Sequence, residues 1–224
     1  MKIVGMGDSL MQYNGEDTYP QEGWPQELGS FLKEGVEIRN FAKNGRSSKS
    51  FIDEGIYKQA LDSLEAGDIA IVSFGHNDEK KEDPTRYLSP SDYEENLVRM
   101  GKDIKQKKTN PIFISSLSRL KVEQGRLVPT HGEYPSAMKR AAERLGAPFV
   151  PLDEISFREF GKDPEQAKAN FMILPPGQYP NYPEGKDDHT HLQQCGAKYV
   201  ASLIAEQLKK ISVCEPLFAG GKES

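Results

Sequence analysis

The chain has 224 residues, of which 36% are hydrophobic and 28% charged, and its formal net charge is −5. This balance is typical of a globular protein with one substantial core. The acidic charge and the lack of a run rich in Lys and Arg argue against nucleic acid or an anionic membrane as a partner. No apolar run approaches the roughly 18 residues that a membrane-spanning helix needs.

The start of the chain and its cysteines bear on the compartment. Lys2 is followed directly by Ile3-Val4-Gly5, which favours a first strand over the basic and long apolar regions of a signal peptide. We therefore expect a cytoplasmic protein. Cys195 and Cys214 lack metal-site spacing, so we expect two free thiols, with a disulfide between them as the less favoured alternative.

The first half of the chain alternates strand and helix patterns. Short apolar runs predict buried strands, and apolar residues at helical spacing predict helices. Pro25 suits the first turn of a helix, and Gly67 suits a helix stop. The predicted elements are a strand at 2–6, a helix at 24–33, a strand at 36–40, a helix at 52–64 and a strand at 68–74.

The second half continues this alternation. Ser91, with Glu94 three residues later, predicts a capping box at the start of a helix. The polar segment 117–131 predicts an excursion or a small hairpin, and segment 170–187, rich in Pro, Gly and Tyr, predicts a long loop. The predicted elements are a helix at 91–107, a strand at 112–116, a helix at 134–145, a strand at 148–152 and a helix at 193–210.

Alternating strands and helices predict an α/β fold, with a parallel sheet covered by helices on both faces. We find no internal repeat or linker and expect a single domain over residues 1–224. In open α/β sheets, ligands bind beyond the carboxyl ends of the strands.

Several polar residues follow the predicted strands in a way that brings them to one edge of the sheet. Ser9 follows the first strand, Gly45 the second and Asn77 the third. Asp188 and His191 lie in the segment before the last helix, which could reach the same edge. We therefore expect these five residues to converge on one site.

The residue types at this edge suit ester cleavage. Ser9 would be the nucleophile, with His191 as the base that a serine hydroxyl needs and Asp188 as the group that orients this base. If the turn is helical, Asp188 and His191 share a face, and the competing base His189 points elsewhere. Taken alone, Ser9 is also a good helix cap, and a histidine in a polar loop is often merely solvated.

Three N–H groups would complete the site as an oxyanion hole. The Gly45 N–H can approach a substrate closely because no side chain intervenes. The Asn77 side-chain amide and the Ser9 backbone N–H would donate two more hydrogen bonds. Glycine and asparagine are also common turn residues, so each assignment is weak alone.

Five segments together carry a resemblance to a known family. They resemble the SGNH hydrolase superfamily, also called GDSL esterases, and within it the rhamnogalacturonan acetylesterases and their bacterial relatives. In chain order the segments are Gly7-Asp8-Ser9, Gly23-Trp24, Ala42-Lys43-Asn44-Gly45-Arg46-Ser47-Ser48, Phe74-Gly75-His76-Asn77-Asp78 and Asp188-His189-Thr190-His191.

The resemblance spans nearly the whole chain and implies both fold and chemistry. It implies a three-layer α/β/α sandwich with a five-stranded parallel sheet, the flavodoxin-like fold of SGNH hydrolases. It also implies that Ser9, Gly45, Asn77 and His191 are the four namesake residues, with Asp188 completing a Ser-His-Asp triad that acts through an acyl-enzyme. No cofactor or metal is expected.

The resemblance implies that the substrate is a small acetylated carbohydrate and favours a rhamnogalacturonan (pectin) oligosaccharide. Tyr179 and Tyr182, in segment 170–187, are candidates for stacking on its sugar rings. An acetyl xylan esterase, or a broad short-chain acyl esterase of the same fold, is the alternative.

Other classes of protein fit the sequence less well. A metal-dependent hydrolase could use Asp188, His189 and His191, with Asp187 beside them, but Ser9 would then have no role. A carbohydrate-binding module would explain the aromatic segment but not the triad. A dinucleotide-binding site lacks the third glycine, which is Leu10 here, and no G-x-S-x-G elbow of the usual α/β-hydrolases is present.

Overall fold

The computed structural model describes residues 1–218. Its central sheet has five strands, which are all parallel, in the order β2-β1-β3-β4-β7. This is the flavodoxin-like order, and it confirms the predicted α/β fold. The strands of this sheet are β1 (Lys2–Gly7), β2 (Glu37–Asn40), β3 (Ile69–Ser73), β4 (Asn110–Ile114) and β7 (Phe149–Val150).

Helices cover both faces of the sheet. Two short strand pairs lie outside it, namely β5 (Val122–Glu123) with β6 (Arg126–Leu127), and β8 (Phe171–Leu174) with β9 (Lys186–Leu192). The α-helices are α1 (Trp24–Leu28), α2 (Ser48–Asp53), α3 (Ile56–Asp62), α4 (Pro90–Gln106), α5 (Tyr134–Leu145), α6 (Leu152–Gly161), α7 (Pro164–Ala167) and α8 (Gln194–Leu208). Short 3₁₀ helices span Glu16–Thr18, Gly29–Phe31, Lys168–Asn170 and Ser212–Leu217.

Alternate residues of the central strands divide the core into two apolar clusters, one on each face of the sheet. Ile3 and Ile69 pack into one cluster, together with residues of α1 and α8. Val4 and Ala70 pack into the other, together with residues of α3, α4 and α5. Because successive side chains of a strand point to opposite faces, this pattern builds the expected three-layer α/β/α sandwich.

Several helices differ from their predicted bounds. The helix predicted at 52–64 is two helices, because Gly55 has a φ of +77° and interrupts the helical hydrogen bonds between α2 and α3. The helix predicted at 24–33 is α-helical only to Leu28 and continues as a 3₁₀ turn. The cap of α4 is Ser89, whose side chain accepts a hydrogen bond from the Asp92 N–H, and the capping box predicted at Ser91 is wrong.

The irregular segments are more ordered than predicted. The segment 117–131 contains the small hairpin of β5 and β6, as expected. The segment 170–187 is not one long loop, because β8 lies within it and β9 begins at Lys186. The helix α6, directly after β7, was not predicted.

Four other predictions concern the cysteines, the membrane, the domain and the compartment. Cys195 is exposed and Cys214 is buried, and both are free thiols as expected. Within residues 1–218, none of the helices is both long and apolar enough to cross a membrane. The single domain over 1–224 and the cytoplasmic location stay predictions, and residues 219–224 lie outside the described part of the chain.

Candidate active site

Ser9 lies in a tight turn just beyond the carboxyl end of β1. The Asp8 carbonyl accepts hydrogen bonds from the N–H groups of Met11 and Gln12, both at 3.1 Å. The Asp8 carboxylate accepts another from the Leu10 N–H at 3.0 Å. These bonds close the turn around Ser9, which is 7% exposed and lines a cleft at the edge of the sheet.

The side chain of Ser9 is hydrogen-bonded to His191, which is bonded in turn to Asp188. Nε2 of His191 lies 2.9 Å from Ser9 Oγ, and Nδ1 lies 2.7 Å from Asp188 Oδ2. An ionised carboxylate can only accept a hydrogen bond, so Nδ1 must carry the ring proton. Nε2 then has a free lone pair that accepts the Ser9 hydroxyl proton, which is the arrangement that a general base needs.

Asp188 is held in its ionised form by its surroundings. Partial burial opposes ionisation, but the hydrogen bond and charge of His191 and the N–H groups of His191 and Thr190 favour it more strongly. The pKa of Asp188 therefore lies well below its usual range. An ionised Asp188 stabilises the imidazolium that would form when His191 takes a proton.

The segment that carries Asp188 and His191 is a bulged strand and not the helical turn considered in the sequence. The pairing of β8 with β9 skips residues 189–191 while β8 advances by one residue. Oδ1 of Asp188 accepts the N–H groups of Thr190 and His191 at 2.9 and 3.0 Å. The carboxylate thus closes the bulge and brings His191 back beside Asp188.

The predicted oxyanion donors line the same cleft as Ser9. Gly45 has a φ of +74°, a conformation that glycine adopts without strain. Nδ2 of Asn77 donates to the Arg46 carbonyl at 3.1 Å, which orients the amide and leaves its second N–H available. No partner for the backbone N–H of Ser9 or Gly45 is found among residues 1–218, so both remain available to a substrate oxygen.

A buried network ties the Asn77 loop to the start of α2. Oδ1 of Asp78 accepts hydrogen bonds from the N–H and the hydroxyl of Ser48, at 2.9 and 2.5 Å. The Asn96 amide donates to the same hydroxyl at 3.0 Å. Burial raises the pKa of Asp78 to about 7 in spite of these bonds. The network links the segments that carry Asn77 and Gly45.

His76, in the same loop, also lines the cleft but is buried. Its ring packs edge-on against His131 with centroids 4.6 Å apart. Neither ring nitrogen of His76 has a hydrogen-bond partner within the described chain. Burial, reinforced by the nearby His131 and Arg119, holds the pKa of His76 well below its usual range, so its ring is neutral.

Tyr179 and Tyr182 are not among the residues that line this cleft. The Tyr182 hydroxyl donates to the Thr18 carbonyl at 3.1 Å, and Lys186 lies over its ring, 5.1 Å from the centroid. Tyr179 packs edge-on against Tyr19 at 5.8 Å. Both rings therefore support the segment between β8 and β9, and the structure does not bring them to the cleft that Ser9 lines.

Basic side chains line the cleft instead, and none of them was a candidate from the sequence. They are Arg46, Lys80, Arg86 and Arg119. Lys80 could have been found, because it stands only three residues after Asn77. Arg86 and Arg119 come from loops whose approach to Ser9 no local pattern reveals.

The alternative metal site is not assembled. Nδ1 of His189 contacts the Leu120 carbonyl at 3.0 Å, and its Nε2 contacts Asp187 at 2.9 Å, whereas His191 faces Ser9. Across residues 1–218, no three His, Cys, Asp or Glu side chains are placed to hold a metal ion together.

Comparisons with known proteins identify the family of the chain. The model of the GDSL-like Lipase/Acylhydrolase family matches residues 6–203. Rhamnogalacturonan acetylesterase RhgT of Bacillus subtilis (strain 168) is 35% identical over 95% of this chain and 91% of that protein. Probable rhamnogalacturonan acetylesterase YesY of the same organism is 34% identical over 92% of each chain.

A solved structure, that of the YxiM protein of Bacillus subtilis, has a similar fold, with a TM-score of 0.81 at 21% identity. The similar region covers 94% of this chain and 56% of that one, so this chain spans little more than half of that protein. The family match and the two relatives, which align along nearly their whole length, show that the chain belongs to the GDSL-like lipase/acylhydrolase family and is a carboxylic ester hydrolase.

Proposed function

We propose that the protein is a serine esterase that removes acetyl groups from acetylated rhamnogalacturonan oligosaccharides. The observation that carries the chemistry is the chain of hydrogen bonds from Ser9 Oγ through His191 to Asp188, at 2.9 and 2.7 Å. This chain of hydrogen bonds lies at a cleft of about 580 Å³, a volume within the usual range of small-molecule sites.

The first half of the proposed reaction forms an acetyl-enzyme. Ser9 Oγ attacks the ester carbonyl carbon while its proton moves to Nε2 of His191. The carbonyl oxygen becomes an oxyanion and accepts hydrogen bonds from the N–H groups of Ser9, Gly45 and Asn77. When the tetrahedral intermediate collapses, the bond to the sugar oxygen breaks, and this oxygen takes the proton from His191.

The second half returns the enzyme to its starting state. A water molecule attacks the acetyl carbon on Ser9, and His191 takes one of its protons. Collapse of the second intermediate releases acetic acid and gives the proton back to Ser9 Oγ. Asp188 stays ionised throughout and stabilises the imidazolium in both halves.

The choice of substrate rests on the relatives. Two proteins named as rhamnogalacturonan acetylesterases, one of them as probable, are 34–35% identical over more than nine tenths of this chain. The expected alternatives are an acetyl xylan esterase and a broad short-chain esterase with the same catalytic residues. They differ from the proposal in the sugar that fills the cleft, so a substrate panel separates them.

The test measures the hydrolysis of three esters by the wild-type protein and its Ser9→Ala variant, followed as acetate released from the two saccharides and as p-nitrophenol released from the third ester. The esters are acetylated rhamnogalacturonan oligosaccharides, acetylated xylo-oligosaccharides and p-nitrophenyl octanoate. We expect the first to be preferred and Ser9→Ala to be inactive on all three with a nearly unchanged melting temperature. Preference for the xylan fragments would mean that the substrate is acetylated xylan and not rhamnogalacturonan. Preference for octanoate would contradict the proposed deacetylase activity. An active Ser9→Ala variant would contradict the serine mechanism.

A further inference from the structure

The cleft around Ser9 carries an excess of positive charge. Its basic residues are Arg46, Lys80, Arg86 and Arg119, and its one acidic residue is Asp188. Asp188 is engaged by His191. A neutral acetylated sugar offers these cations no opposite charge, and only cations whose donors the protein leaves free can bind a charged group of a substrate.

In two of the four cations, acidic partners engage the terminal guanidinium nitrogens. The Arg46 guanidinium donates to Glu54 through Nε and Nη2, at 2.9 and 2.8 Å. Arg119 is paired with Glu79, which also contacts His131. These two arginines are occupied within the protein and contribute to the walls of the cleft.

Arg86 is anchored at one end and free at the other. Its Nε donates to Asp83 Oδ2 at 2.9 Å, and Asp83 is itself fixed by the Thr85 N–H at 3.1 Å. Its terminal nitrogens, Nη1 and Nη2, have no protein partner within residues 1–218, and the side chain is 35% exposed. Nη1 lies 3.5 Å from the point where a Cβ on Gly45 would stand, so the free end of Arg86 is beside an oxyanion donor.

Lys80 is the second cation of the cleft with donors that the protein leaves free. It follows Asn77 by one turn, and its N–H donates to the Asn77 carbonyl at 3.3 Å. Within the part of the chain that the structure describes, its ammonium makes no ion pair or hydrogen bond, and the side chain lines the cleft. Lys80 and Arg86 thus belong to the loop that follows Asn77, and both reach the same cleft.

We infer that Lys80 and Arg86 form a carboxylate-binding subsite beside the oxyanion donors, which selects acetylated saccharides that contain a uronic acid. The planar end of a guanidinium matches the two oxygens of a carboxylate, and a lysine ammonium adds a point charge. This inference rests on the proposed function and deepens it, since rhamnogalacturonan alternates a neutral sugar with galacturonic acid.

A general electrostatic role would behave differently from a subsite. Positive charge near the oxyanion donors would assist every ester, whether or not its sugar is charged. A carboxylate subsite instead favours the charged member of a pair of substrates that share the sugar and the ester but differ in one charge. The informative quantity is therefore a ratio of two kcat/KM values.

The experiment compares acetate release from acetylated rhamnogalacturonan oligosaccharides before and after methyl esterification of their uronic acids. For the wild type we expect kcat/KM to be about tenfold higher for the free acid, the size of one charge-assisted hydrogen bond. The ratio should fall toward one in the double variant that combines Lys80→Met with Arg86→Gln. It should also fall toward one for the wild type at high salt. Lys80→Arg keeps the positive charge and should therefore keep most of the wild-type ratio.

Lys81→Met is the matched control, because Lys81 is exposed and does not line the cleft. It should keep the wild-type ratio. An unchanged ratio in the double variant, or a wild-type ratio near one, would overturn the subsite.

A second arm does not depend on the deacetylase. Galacturonate should inhibit p-nitrophenyl acetate hydrolysis more strongly than galactose, and the double variant should lose this difference. If no saccharide releases acetate but galacturonate still inhibits selectively, the proposed function fails and the subsite stands. If the saccharides are deacetylated but galacturonate and galactose inhibit alike, the subsite fails and the proposed function stands.

Discussion

Asp188 and His191 are three residues apart in the chain, and a hydrogen bond of 2.7 Å joins Asp188 Oδ2 to His191 Nδ1. The backbone between them bulges out of β9, and the other carboxylate oxygen of Asp188 accepts two N–H groups of this bulge. One carboxylate therefore both shapes the segment and fixes the tautomer of the ring. His189 lies in the same bulge but is bound to Asp187 and Leu120.

The two histidines of this bulge should differ strongly in their effect on catalysis. We expect His191→Ala to lower kcat by about 10²–10⁴-fold, the usual contribution of a general base. His189→Ala removes a half-exposed ring without contact to Ser9 and should change kcat by less than about threefold. Steady-state hydrolysis of p-nitrophenyl acetate gives both values. Similar losses in the two variants would contradict the assignment of the base.

Asn77→Ala should lower kcat much more than it changes KM. A donor to the oxyanion acts chiefly in the transition state, and removing one typically costs about 10²–10³-fold in kcat. The variant also loses the bond to the Arg46 carbonyl, which should cost only about 1 kcal/mol of stability. Kinetics and a thermal melt on the same preparation separate these effects, and a change confined to KM would mean that Asn77 binds the ground state.

Activity should survive removal of metal ions. Within residues 1–218, no set of three His, Cys, Asp or Glu side chains is placed for a metal ion, and the proposed mechanism uses only side chains and water. We expect full activity after dialysis against EDTA, with an untreated sample as the control. A loss that added Zn²⁺ restores would favour the alternative hydrolase that uses Asp188, His189 and His191.

Asp78 should make the protein less stable as the pH rises. Burial raises its pKa to about 7 in the folded state, from an ordinary value of 3.8 for an aspartate in water. The folded protein therefore binds this proton more tightly, so stability is lost as the pH rises from about 4 to about 7. Between pH 5 and pH 8 the loss should be about 2–3 kcal/mol.

Asp78→Asn removes this titration but keeps an oxygen that can accept the hydrogen bonds of Ser48. Its free energy of unfolding, measured with denaturant at pH 5 and pH 8, should fall less than that of the wild type. Asp8, whose pKa burial raises to about 6, remains in both proteins and contributes the same trend. Equal pH dependence in the two proteins would contradict the assignment to Asp78.

Local patterns predicted most elements of the sheet but not the details that depend on one residue's backbone. The apolar runs of β1 and β3 are buried on both faces and need no other information. The break at Gly55 and the cap at Ser89 were missed, because glycine is tolerated within helices and two serines stood near the start of α4. The strand β8 was missed because the turn residues after it dominate its segment.

The sequence by itself determined the alternation of the five central strands with most of the helices, the candidates Ser9, Gly45, Asn77, Asp188 and His191, and the family. It could do so because buried runs, turn residues and short motifs are local properties. Only the tertiary structure decided that Ser9 meets His191 across 182 residues of chain, that Tyr179 and Tyr182 pack against Tyr19 and Thr18 and do not line the cleft, and that Lys80 and the free end of Arg86 enter it. These outcomes depend on which distant loops the parallel sheet brings to one edge, and no local pattern records that.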